Sequence, residues 1–305
     1  IDLAFQQAGF DIVWANEIDK DACKTYRYNF GDEYLVEGDI KLVDPNDIPD
    51  IDILNGGFPC QAFSVAGYRK GFDDERGNLF FEIARIAEAK QPKVIFLENV
   101  ANLLEHDEGK SFLTVYNALV PLGYTFKYQV MDAMEYGNIP HNRERIYLVG
   151  FLNKEAYKEF DFPKPIPLTT KLSDLIDFEN KLDNKYYYTK DNFLHYEELN
   201  NNMTRMDTVY QWRRVYVREN QSNVCPTLTA NMGTGGHNVP LVLTKHGIRK
   251  LTPRECFLLQ GFPKDFNLPE NIANAHLYKQ AGNSVSVTVI ERIAHNIKLA
   301  LLNAK

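Results

Sequence analysis

The feature that most constrains this chain is the order of its periodicities. Over the first half, short apolar runs alternate with segments whose apolar residues recur at helical spacing. Strands are expected at Asp11–Ala15, Tyr34–Glu37, Ile51–Asn55, Lys93–Leu97, Thr125–Met131 and Arg145–Phe151. Between them Lys20–Phe30, Asn78–Lys90 and Lys110–Val120 read as helices, with Leu79, Ile83 and Ile86 on one face of the second. Ile1–Ala8 reads as the end of a helix, and Gly9, Gly31 and Gly123 sit where helices should stop. The alternation predicts an α/β fold, a mostly parallel sheet covered by helices.

The pattern breaks at Phe162-Pro163-Lys164-Pro165-Ile166-Pro167, where the prolines mark a boundary. About eighty polar residues rich in Asn and Tyr follow, without clear periodicity. Helical order returns at Thr252-Pro253-Arg254-Glu255, with proline at a first helical position. Val285–Leu302 closes the sequence as a helix with Val289, Ile290, Ile293 and Ile297 on one face.

Several classes are excluded early. With 44% apolar and 25% charged residues the chain is of ordinary globular composition. No apolar run reaches the roughly 18 residues of a membrane span, no signal peptide is read, and no membrane partner is expected. Cys23, Cys60, Cys225 and Cys256 form no C-x-x-C pair, so neither a zinc site nor a disulfide scaffold is expected, and a reduced, cytoplasmic setting is. The net charge of −7 speaks against a polyanion partner, but its distribution does not. Arg205 to Arg254 carries eight Lys/Arg against two Asp/Glu, a surplus of six, which leaves −13 on the remainder.

Chemistry-bearing residues fall at strand ends, where open α/β sheets bind ligands. Gly56-Gly57-Phe58-Pro59-Cys60-Gln61-Ala62-Phe63-Ser64 follows one expected strand and puts a cysteine where a nucleophile would sit; taken alone, such a cysteine is more often a buried structural thiol. Glu98-Asn99-Val100 follows the apolar Val94–Leu97 and offers a proton donor or acceptor, or merely a cap. Arg143-Glu144-Arg145 precedes another strand, and alternation would send both arginines to the same side. Glu17 and Asp39 follow the first two strands, where acidic residues bind ribose hydroxyls or an adenine amino group.

In this order the motifs resemble the bacterial DNA cytosine-5 methyltransferases of restriction–modification systems, over nearly the whole chain. The resemblance is carried by Asn16-Glu17-Ile18-Asp19, Gly38-Asp39-Ile40, Gly57-Phe58-Pro59-Cys60-Gln61, Glu98-Asn99-Val100 and Arg143-Glu144-Arg145. It continues through Arg254-Glu255-Cys256, Gln260-Gly261-Phe262-Pro263 and Gln280-Ala281-Gly282-Asn283-Ser284-Val285. Two departures stand out. The family's Gly-rich loop would lie upstream of Ile1, so a chain starting there is expected to bind cofactor weakly. His141 stands where the family usually has Gln.

The resemblance implies a Rossmann-like S-adenosylmethionine-dependent methyltransferase sheet with a second, smaller target-recognition domain. The catalytic domain would span 1–165 and be completed by 280–305, with 166–279 as target-recognition domain and hinge. Cys60 would be the nucleophile, Glu98 would act at N3 of the cytosine, and Arg145, supported by Arg143, at O2. The cofactor S-adenosyl-L-methionine, released as S-adenosyl-L-homocysteine, would lie against Glu17, Ile18, Asp39, Ile40, Pro59, Leu79, Asn283 and Val285, without a metal. Double-stranded DNA would meet Gln61, Ser64, Arg213, Arg214, Arg218, Thr227, Leu228, Gly235, Gly236 and His237. Arg218, nearest to Thr227–His237 in sequence, is the expected base reader. A monomer is expected, with a cognate restriction endonuclease as a genetic partner only.

Three rivals differ in recognisable ways. The tRNA cytosine-5 methyltransferases carry Pro-Pro-Cys and Cys-Phe-Thr, whereas this chain has Phe-Pro-Cys and no Cys-Phe-Thr. A DNA-binding or split subunit without its own catalysis is favoured only by the position of the Gly-rich loop. An NAD-dependent oxidoreductase would need a Gly-x-Gly-x-x-Gly turn, and none is present.

Overall fold

The computed structural model describes residues 1–59, 78–220, 223–235 and 238–304. The chain divides into two compact units. The first comprises Ile1–Met131, Glu144–Pro163 and Glu291–Lys305, the second Asp132–Arg143 and Lys164–Ile290.

The first unit is α/β. Strands β1 (Ala15–Glu17) and β2 (Leu35–Glu37) form a parallel pair in the register Ala15 to Leu35 and Glu17 to Glu37. Strands β3 (Ile53–Gly57), β4 (Val94–Val100), β5 (Thr125–Asp132) and β6 (Glu144–Phe151) make a sheet in the order β3-β4-β6-β5. Helices form where the sequence places them. Lys20–Phe30 starts at Asp19, whose side chain accepts from the Asp21 and Ala22 amides at 3.0 and 3.1 Å. It stops at Gly31, which takes a φ of +79° that side chains with a Cβ rarely adopt.

The sheet centre is β4. Val94 to Leu97 are fully buried, and Ile95 and Leu97 join Ile146, Leu148, Leu103 and Leu119 in one apolar cluster. Burying a side chain of this size contributes about 1.5–3 kcal/mol. This core fixes the ends of β3 and β4, where the acidic and glycine motifs lie.

Two expectations need correction. The sheet is mixed: β3 runs parallel to β4, but β6 runs antiparallel to it. Between β5 and β6 there is only a single helical turn, Ala133–Tyr136, too short for the crossover that parallel strands need. The first strand lies at Ala15–Glu17 rather than Asp11–Ala15, because β2 offers only Leu35–Glu37 as partners.

The second unit holds an antiparallel sheet that the sequence did not announce. Strands β7 (Tyr210–Trp212), β8 (Val217–Glu219), β9 (Pro240–Thr244) and β10 (Gly247–Lys250) lie in the order β10-β9-β7-β8. Three- to five-residue strands are too short to display a period of two. Leu199, Met203, Tyr210, Val239, Leu241 and Ile248 form the unit's apolar cluster. Helix Pro253–Leu258 opens with a capping box between Thr252 and Glu255. Glu255 also takes both terminal nitrogens of the fully buried Arg249 at 2.7 and 2.9 Å. No helix among the described residues is long and apolar enough to cross a membrane.

Candidate active site

In the first unit the C-terminal ends of β3 and β4 meet the start of β6. Gly57 pairs with Glu98 on β4, and Val100 pairs with Arg145 on β6. Glu98 lies two residues before Val100, so the side chains of Glu98 and Arg145 share a sheet face diagonally. Their contact follows: Arg145 Nε lies 3.1 Å from Glu98 Oε1, with both side chains about nine-tenths buried. An ideal Cβ on Gly57 would lie 3.9 Å from Glu98 Oε2, so the carboxylate stands beside the strand that leads to Phe58, Pro59 and Cys60. Asn99 Nδ2 donates to Phe58 O at 2.8 Å and ties that exit to β4. Pro59 is exposed. Cys60, Gln61 and Ser64 lie outside the described residues.

The described cysteines are poor nucleophiles. Cys23, Cys225 and Cys256 are fully buried. Burial, helped by Glu37 and Glu17, pushes the Cys23 thiol up to about 11. Burial also raises Cys225 and Cys256. A group that stays a neutral thiol does not attack.

A second acidic site sits at the ends of the parallel pair β1 and β2. Glu17 Oε1 accepts the Ile18 and Asp19 amides, both at 2.8 Å, and Oε2 carries neither bond. Gly38 N donates to Glu17 O at 2.9 Å, which brings the turn after β2 against the end of β1. Asp39 follows, with Oδ1 accepting the Lys41 amide at 3.0 Å. Ile18 and Leu79 are exposed apolar side chains of the same unit, and Ile40 is half-buried. Two carboxylates at adjacent strand ends, with apolar side chains beside them, fit a ribose and an adenine ring. Among the described residues no cluster of three His, Cys, Asp or Glu is arranged to hold a metal.

In the second unit Arg143 behaves unlike Arg145. It precedes β6, which begins at Glu144, and its partners differ from those of Arg145. Arg143 is 2% exposed and donates to Leu228 O at 3.2 Å, Gly282 O at 3.3 Å and Ser284 O at 2.5 Å. Asp132, which the sequence reading missed, holds the same segment: its carboxylate accepts the Arg143 and Met134 amides and Asn142 Nδ2, each at 3.1 Å. Its one signal was an acid at a strand end. Gly282 explains its motif by contact. A Cβ there would fall 2.3 Å from Ala230 N and Thr229 C. Asn283 is exposed, and Val285 is buried.

The basic segment is smaller than its charge suggests. Arg205 is tied to Asp207 and Glu219, Lys245 to Glu179, and Arg249 to Glu255. Arg254 donates to Phe266 O, and Lys250 lies over the Tyr278 ring. Arg213, Arg214 and Arg218 make no ion pair or side-chain hydrogen bond among the described residues. They lie on the β7–β8 hairpin, where Arg213 N donates to Tyr216 O at 2.8 Å and Val215 is 83% exposed. Thr227 is half-buried, Leu228 is 2% exposed so that its side chain packs inward, and Gly235 is exposed. Gly236 and His237 lie outside the described residues.

The profile of the family described as C-5 cytosine-specific DNA methylase matches residues 1–299. The chain is 61% identical to Type II methyltransferase M.Bsp6I of Bacillus sp. (strain RFL6) over 304 residues, 99% of this chain and 96% of that one. It is 42% identical to Type II methyltransferase M.SsoII of Shigella sonnei, covering 97% of this chain and 76% of that one. Among solved structures, the S. pombe Dnmt2 methyltransferase superposes with a TM-score of 0.71 at 20% identity, over 99% of this chain and 94% of that one, which speaks for the fold alone.

Proposed function

This chain belongs to the C-5 cytosine-specific DNA methylase family, and from that premise we propose that it methylates C5 of a flipped-out cytosine in a short duplex DNA sequence through a covalent Cys60 adduct. It would be the modification enzyme of a type II restriction–modification pair.

The chemistry sets the requirements. C5 of cytosine is a weak nucleophile. Bonding of the Cys60 thiolate to C6 moves the ring's electron pair onto C5, which then attacks an electrophilic methyl carbon. Bound S-adenosyl-L-methionine supplies that methyl from its sulfonium and leaves as S-adenosyl-L-homocysteine. Loss of the C5 proton to a base then restores the C5–C6 double bond and expels the Cys60 sulfur. Negative charge grows on the ring during attack. Glu98 is assigned to N3 and Arg145 to O2, where donors held in place stabilise charge as it develops.

The observation that carries the reading is the Glu98–Arg145 pair at the strand end leading to Cys60, an acid and a cation 3.1 Å apart. In support, each described cysteine is buried with a raised thiol pKa. We assign Glu17 to the ribose hydroxyls and Asp39 to the adenine amino group, with Ile18, Ile40, Leu79 and Pro59 around the ring. Arg143 then acts as a positioning residue.

A stacked cytosine is out of reach, so the base must leave the helix at a cost of a few kcal/mol. We assign the replacement contacts to Arg213, Arg214, Arg218 and Thr227, with Arg218 reading a base and its neighbours gripping phosphates. The test is covalent trapping. Duplex DNA with 5-fluorocytosine at the target should form a mass-detectable adduct on Cys60, because fluorine cannot leave as a proton does. Cys60→Ser should abolish both adduct and methyl transfer while leaving DNA binding largely intact. An adduct on Cys23, Cys225 or Cys256 would overturn the assignment.

A further inference from the structure

Residues 140–143 run alongside 225–228 within the second unit. Cys225 N donates to Pro140 O at 2.7 Å, and Asn142 N donates to Cys225 O at 2.9 Å, one rung of a parallel ladder. The next rung would place Thr227 N–H on Asn142 O. Instead the Thr227 hydroxyl donates to that carbonyl at 2.7 Å, and the ladder stops. The Leu228 peptide is then buried with its ladder partners gone, and an unmet peptide group there is costly. Two side chains satisfy it. His141 Nε2 accepts Leu228 N–H at 3.1 Å, and Arg143 Nη1 donates to Leu228 O at 3.2 Å.

We propose that His141 is a positioning residue for target DNA: its neutral ring, accepting at Nε2, holds the Leu228 peptide and so sets the pose of Thr227. The inference rests on the reading above that Thr227 faces DNA. His141 is fully buried, and its tautomer follows from the bond it makes. An imidazolium has two donors and no acceptor, so Leu228 N–H requires the neutral ring with its proton on Nδ1. A general packing role would accept any polar side chain of similar volume, whereas this role needs an acceptor at the Nε2 position. The oxygen of a Gln amide reaches that position. An Asn amide reaches only as far as Nδ1.

The experiment pairs nuclear magnetic resonance with DNA binding. In uniformly 15N-labelled protein, a coupling across the hydrogen bond between Leu228 N and His141 Nε2 should be present. His141→Asn should raise Kd for the cognate duplex about 10-fold, the loss of one buried hydrogen bond, with kcat at saturating DNA within about 2-fold of wild type. His141→Gln should stay within about 2-fold of wild-type Kd. Thr227→Ala is measured beside them. Absence of the coupling, or a proton on Nε2, overturns the proposal. So does equal binding by the Asn and Gln variants while Thr227→Ala weakens it. If Thr227→Ala also leaves affinity unchanged, the DNA-facing reading of Thr227 is what fails, and the inference falls with it. Should His141→Asn not fold, weak binding by His141→Gln still refutes the role.

Discussion

Arg143 and Arg145 stand two residues apart, and replacing each by Met should give opposite results. Arg143→Met removes a guanidinium that serves three carbonyls, Leu228 O and Gly282 O in buried bonds and Ser284 O in a part-buried one. Each orphaned acceptor costs about 1–3 kcal/mol, a gross loss of about 3–9. Sparing the desolvation of a buried cation returns several kcal/mol. A net destabilisation of about 3 kcal/mol remains, and at a urea slope of about 3 kcal/mol/M the midpoint falls by about 1 M. Arg145→Met leaves the Glu98 carboxylate, itself about nine-tenths buried, without its cation, a cost of about 3–5 kcal/mol that falls on the first unit, while methyl transfer is abolished. Trp212 belongs to the second unit and Trp14 to the first, so fluorescence in a Trp14→Phe background reports unfolding where Arg143 acts. A shift of the Trp212 signal below about 0.3 M for Arg143→Met, or methyl transfer retained by Arg145→Met, would refute the division into brace and catalytic cation.

Gly282→Ala should destabilise the second unit by about 3 kcal/mol or more, read by the same fluorescence, because its Cβ would meet Ala230 N and Thr229 C, backbone atoms that cannot swing aside. The Cys23 thiol is raised when folded, so the folded state binds the extra proton. Its contribution is complete below about pH 9 and disappears as pH rises through about 11, so urea midpoints should fall over that window and fall less steeply in Cys23→Ala. Arg214→Ala should weaken binding to cognate and scrambled duplexes alike and lower the salt slope by about one unit, whereas Arg205→Ala should leave the slope unchanged because Asp207 and Glu219 already hold that cation.

Helices Lys20–Phe30 and Asn78–Lys90 were legible to the residue, because their apolar spacing and the Gly31 stop are local signals. The orientation of β6 was not. It depends on the link from β5 having only one helical turn, a negative feature that periodicity does not register. The sheet of the second unit was invisible for another reason. Tyr210–Trp212 and Val217–Glu219 are defined by pairing with each other, and three residues carry no period. At the candidate site the motifs singled out Glu98 and Arg145, and the register of β4 against β6 supplies the diagonal that makes them a pair.

The charge count failed instructively. A surplus of six between Arg205 and Arg254 treats every cation as a free one, yet Arg249 is fully buried and its partner Glu255 lies one residue beyond the counted stretch. Counting by sequence window cannot see that Lys245 is neutralised by Glu179, from outside the window. What remains for a polyanion is the group the structure leaves unpaired among the described residues, Arg213, Arg214 and Arg218, carried on one hairpin. With Arg218 reading a base, the two neighbouring arginines left to grip phosphates should give this segment a salt dependence near two units rather than six. A slope well above two would place further cations at the DNA, outside this hairpin.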